Sequence, residues 1–178
     1  MARLGQVWVE TVVYTLVGLS LIGLVLAFVI PKVNEYRDRS VVENTIAALN
    51  VIDGKISEVL EAPLNTRVVD MTLKRGEFYF NASSNRIYYI LEDSKAAYSE
   101  PNELVSIGRI TIFTEPKTKG VHRITLFIDY AFNLDYANNN SVRKYSSASV
   151  PYRFSFTNQG TNDDNGVPTI IFRELSEG

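Results

Sequence analysis

The residues able to do chemistry in this chain are few, and their types exclude more than they allow. Among 178 residues there is one histidine, His122, and no cysteine. One imidazole cannot supply a multi-histidine metal site, and the lack of thiols removes disulfides, cysteine-based zinc sites and thiol catalysis together. No nucleophile–base pair or phosphate loop stands out, so no enzymatic activity is expected. His122 shares its parity with Ile124, Leu126 and Ile128, which reads as a residue at the edge of a core. The loop Thr161-Asn162-Asp163-Asp164-Asn165-Gly166 looks like half of a calcium loop. The EF-hand pattern, however, needs an acid at its first position and a glutamate at its twelfth, where Thr161 and Phe172 stand. It reads as a solvated turn, and no metal or cofactor is expected. Asn81-Ala82-Ser83 and Asn139-Asn140-Ser141 are acceptor sequons, making Asn81 and Asn139 glycosylation candidates on an external domain. A formal net charge of −2 gives no reason to expect nucleic acid.

The remaining unusual group is Glu10. It opens an uncharged run over residues 11–30, and about 20 apolar residues in a helix span the hydrocarbon core of a bilayer. A carboxylate at the edge of such a segment is costly enough to need a reason. Within the run, Ser20, Gly23 and Ala27 fall at spacings of three and four and share one helical face. That face is either a packing surface for another helix or the ordinary small-residue content of a span. Pro31 follows, as a kink or as a harmless residue at the membrane exit.

Two periodicities describe the rest. Val42, Ile46, Leu49, Ile52, Ile56 and Val59 step by threes and fours, the pattern of an amphipathic helix. Pro63 sets its end. One long bent helix over residues 6–60 is therefore expected. From residue 67 the period is two: Val69, Met71 and Leu73; Phe78 and Phe80; Ile87, Tyr89 and Leu91; segments 109–114 and 121–130; Val150, Tyr152, Phe154 and Phe156; and 169–173. Pro151 hints that its strand lies at a sheet edge. The expected class is α+β, a long bent N-terminal helix packed on an antiparallel β-sheet or small β-sandwich head. Its divisions are a short leader at 1–5, an apolar helix at 6–31, an amphipathic continuation at 32–63 and a β head at 64–178.

Gly5-Gln6-x-x-x-Glu10 followed by an apolar helix resembles the class III signal sequence of archaeal type IV pilin-like proteins. The resemblance implies that a prepilin peptidase cuts between Gly5 and Gln6 and that Glu10 is kept as the fifth mature residue. There its carboxylate would offset the new amino terminus of Gln6 on a neighbouring subunit. The sequence departs from the family pattern at Leu4, where a base is usual, and at Trp8, where serine is frequent. The resemblance implies a precursor held by membrane lipid and then copies of this chain assembled through Glu10 and the Ser20, Gly23 and Ala27 face into a filament at the cell surface. The alternatives are a singly anchored minor pilin or archaellum-stator-like protein, and a β-domain binding module or adhesin on a permanent anchor. The cations flanking the span, Lys32, Arg37 and Arg39 against Arg3, favour a cytoplasmic head, whereas the resemblance places it outside.

Overall fold

The computed structural model describes residues 3–136, 141–161 and 166–175. One helix, α1 (Arg3–Leu60), runs without interruption through Pro31. The lost amide at that position costs one hydrogen bond but does not end the helix. It is followed by β1 (Thr66–Met71), β2 (Glu77–Asn81), β3 (Arg86–Ser94), β4 (Leu104–Ile107), β5 (Ile110–Thr118), β6 (Val121–Asp129), β7 (Asn133–Tyr136), β8 (Val142–Ser146), β9 (Tyr152–Thr161) and β10 (Pro168–Glu174). The strands form a four-stranded sheet ordered β1-β9-β10-β7 and a six-stranded sheet ordered β4-β5-β6-β3-β2-β8.

The two sheets meet through aromatic rings. Phe80 stacks on Phe172 with centroids 4.2 Å apart, and Phe78 on Phe154 at 5.8 Å. Tyr145 sits edge-on to both Phe154 and Phe172. Such offset and edge-to-face pairs add to the gain from area burial alone. The expected helical stripe is the third wall of this core: Val42, Ile46, Leu49, Ile52, Ile56 and Val59 are all buried, and α1 packs against strands of both sheets. The fold is α+β, with a single long helix packed on a β-sheet head.

Several strand expectations need correction. The sheets are not wholly antiparallel, because β7 pairs parallel with β10. β9 is not an edge strand: it lies between β1 and β10. Pro151 precedes β9, where its missing amide takes nothing from the ladder. Val150 also lies outside β9 and is exposed. Leu73 is buried, but beyond the end of β1. β4, β7 and β8 were not foreseen. β4 has all four residues exposed, and β7 and β8 each bury one, so none has the alternation that marks a half-buried strand.

Candidate functional site: the apolar half of the helix

From Val7 to Val33 every large apolar side chain of α1 is exposed. An 18-residue window here has a mean hydropathy of 2.5 and no buried residue, and by length and composition this is the one described helix able to cross a membrane. At about 1.5–3 kcal/mol per apolar side chain, burial worth roughly tens of kcal/mol is left unclaimed by the chain's own fold. Its polar groups are arranged for an apolar medium. The hydroxyls of Thr11, Thr15 and Ser20 each donate to the carbonyl four residues back, at 2.8–2.9 Å, so none needs water.

The charges sit at the two ends. Glu10 and Lys32 are 22 residues apart, about 33 Å of helix, close to the thickness of a hydrocarbon core. Trp8 and Tyr36, both about 70% exposed, are 28 residues apart, about 42 Å, the span that includes both headgroup layers. Lys32 is hydrogen-bonded to Glu35 at 2.8 Å, and this contact raises the lysine pKa. Glu10 is exposed, with the Tyr14 hydroxyl 3.5 Å from its Oε1, at the outer limit of a hydrogen bond. Ser20 and Ala27 are exposed, and a Cβ added at Gly23 would meet nothing within 4 Å. The small residues of this face therefore have no reason for their size inside one copy of the chain. Gly5 and Gln6 lie in the backbone of α1, and the described side chains begin at Val7.

The other sequence candidates are not drawn to this segment. Asn81 ends β2, half-buried, its Oδ1 accepting from the Ser84 amide. Asn139 and the centre of the 161–166 loop fall outside the described residues. His122 is the second residue of β6, opposite Pro116 and Ser94, with its Nδ1 buried.

What sequence reasoning missed is how the second half of α1 is fastened to the head. Asp38, 3% exposed, accepts from Arg75 and, at 2.6 Å, from the Lys95 amide, tying the helix to two loops. One signal was present: Asp38 precedes Val42 and Thr45 by four and seven and so lies on the apolar stripe. Asp53 pairs with Arg109 at 3.0 Å. At the far end the last carbonyls of α1, which have no partner inside a helix, are met by side chains. Asn65 donates to the Glu58 carbonyl and Asn158 to that of Val59 at 3.1 Å, and Asn158 also reaches the carbonyl of Ala62, two residues past the helix, at 3.2 Å. Gly76, at φ +80°, lets the Tyr89 hydroxyl reach the Arg75 carbonyl at 2.7 Å. A Cβ there would stand 2.3 Å from that hydroxyl oxygen. These fastenings fix how far along α1 the head begins, and so how much helix stays bare.

Comparison of the chain with protein-family models, with curated proteins and with solved structures gives no match.

Proposed function

We propose that this chain is a structural subunit of an extracellular type IV pilus-like filament, held in the membrane by residues 11–30 before assembly. The observation that carries the reading is the apolar half of α1, exposed on every side while the half that follows is fastened to the head. A helix bare all round can be satisfied by lipid and later by copies of itself, without refolding. Glu10 is the part a plain anchor has no use for. A charge costs about 2.5–3.5 kcal/mol at the centre of a membrane helix and less at its end, so insertion tolerates Glu10 without needing it. In the filament its carboxylate would offset the Gln6 amine that a prepilin peptidase frees on a neighbour. The heads, with Asn81 and Asn139 as possible sugar acceptors, would form the outer surface, and no catalysis belongs to this reading.

Glu10→Ala tests it. Membrane insertion and cleavage after Gly5 should survive, because the substitution lies beyond the scissile bond, while filaments are lost. Normal filaments from the variant would remove the proposed role of Glu10. A chain that stays in the membrane uncut, with Met1 or Ala2 at its terminus and no filaments in either form, would instead be a binding module on a permanent anchor. The departures at Leu4 and Trp8 favour that second reading.

A further inference from the structure

The fastenings reveal which end of the head is nearer the apolar segment. Asp38 is joined to the loop after β1 and to the residue after β3, whereas Asp53 is joined to the β4–β5 turn. From Asp53 to Asp38 is 15 residues, about 22 Å of helix. The nine residues of β5 cover a similar length, about 26 Å, in the opposite sense. The near end of the head therefore comprises the β1–β2 loop, the start of the β3–β4 connection, the β5–β6 turn and the uncharged β8–β9 loop. Asp38 stands eight residues past Ile30, about 12 Å beyond the end of the apolar run. Ser94 pairs with His122, and the turn at Lys119 and Gly120 lies two to three residues further out, about 7–10 Å closer to that end. The tip of β5–β6 thus comes down to the level of Lys32.

Charge follows this polarity. Among the residues with described side chains, six cations have no described carboxylate within ion-pair distance: Arg37, Lys74, Lys95, Lys119, Arg143 and Arg173. The first four are exposed and lie on the helix or the loops at the near end. In the described far-end turns, 61–65, 82–85, 108–109 and 130–132, the one cation is Arg109, and it is paired. The near-end acids Glu92 and Asp93 are matched by Lys117 and Arg123. Glu100 and Glu174 stand back from the tip, Glu100 beside the Pro101–Thr114 bridge and Glu174 opposite Phe154 in β9.

We propose that Arg37, Lys74, Lys95 and Lys119 form a rim that seats the head on the anionic headgroups of the membrane in which α1 is anchored. This rests on the membrane-anchor part of the proposed function. Basic groups a few Å from a negative lipid surface are attracted to it, and the attraction is screened by salt. The rim would hold the head against the bilayer until the subunit is withdrawn. It also gives the cations on this side of the span a use other than setting orientation.

The absence of cysteine permits a clean test. Thr118→Cys, beside the tip, and Ser84→Cys, at the far end, each carry a fluorophore on the full chain, reconstituted in vesicles containing headgroup-spin-labelled lipid. With phosphatidylglycerol present, quenching at position 118 should exceed that at 84 by about threefold or more. It should fall toward the phosphatidylcholine value in high salt, and likewise when Arg37, Lys74, Lys95 and Lys119 are all changed to Gln. Quenching at 118 that is equal in both lipids and indifferent to salt overturns the rim, even if the glutamine variant misfolds. Flotation of the same vesicles separates the two claims. A chain that floats without lipid-dependent quenching keeps its anchor and loses the rim, and a chain that does not float loses both.

Discussion

The two halves of α1 share one backbone conformation and differ in everything that surrounds it. From Val7 to Val33 the large apolar side chains are exposed on every face. From Asp38 to Leu60 one stripe is buried, three carboxylates (Asp38, Asp53 and Glu58) are paired with the head, and the terminal carbonyls are capped from β9 and the turn before β1. Helical hydrogen bonding is satisfied within the segment and does not say what the side chains should meet. The second half has a partner in its own chain, while the first must find lipid or another helix. One rod can therefore serve a folded head and an intermolecular contact, with Asp38 near the changeover.

The largest expected effect breaks the comparison by placing the same charge in each half. Leu49, fully buried, changed to Asp should cost about 4 kcal/mol or more and leave the head unfolded, because the carboxylate would be buried in the hydrophobic core. Leu21→Asp should leave the unfolding midpoint of the head unchanged and weaken only membrane insertion, since Leu21 is 60% exposed. Urea unfolding of the full chain in detergent, followed by near-ultraviolet circular dichroism, measures the first, and flotation with vesicles the second. Equal destabilisation by both would mean that the apolar half is part of the folded core.

The next effect sharpens where the changeover falls. Asp38 has a side chain 4% exposed and its partner Arg75 one 43% exposed. Removing the arginine strands a buried carboxylate, so Arg75→Met should cost about 2–3 kcal/mol. Asp38→Asn should cost less, about 1 kcal/mol, because the freed guanidinium reaches water and the amide can still accept from Lys95. A reversed order in urea midpoints would show that Asp38 acts chiefly through the Lys95 amide rather than through Arg75.

The effect that shows only outside neutral pH is confined to the docked half. Burial pushes the Tyr89 phenol from 10 up to about 12. The folded state favours the neutral phenol, so its contribution is whole below pH 10 and is lost as pH rises from 10 through 12. A shift of this size corresponds to about 3 kcal/mol. Tyr89→Phe should lower stability at neutral pH through the lost bond to the Arg75 carbonyl and flatten the alkaline limb of the profile. An alkaline limb identical in the two proteins would assign it to Tyr130 and Tyr145, whose phenols burial also raises.

The elements legible in the sequence are those whose side chains repeat with the period of one backbone conformation. The uncharged run, the helical stripe from Val42 to Val59 and the inward parity of Phe78, Phe80, Ile87, Tyr89, Leu91, Phe154 and Phe156 could all be read from spacing, and each of these stripe and parity residues is buried. β4, β7 and β8 have no such pattern, because an edge strand or a strand with one residue in the core gives the periodicity little to act on. The candidate segment could be read for the same reason: its apolar character is local.

By itself, then, the sequence determined one apolar helix of membrane-spanning length, an amphipathic continuation and a β-rich remainder, since burial of apolar side chains is decided residue by residue. Tertiary structure alone decided that there are two sheets rather than one, that β9 is internal and that β7 runs parallel to β10. It also decided that Asp38 meets Arg75 and the Lys95 amide, and that Asn158 caps a helix at Val59, 99 residues earlier, and holds the Ala62 carbonyl just past its end. Those pairings join groups far apart in the chain, each common in type. Only the closing of the fold brings such a donor to its acceptor.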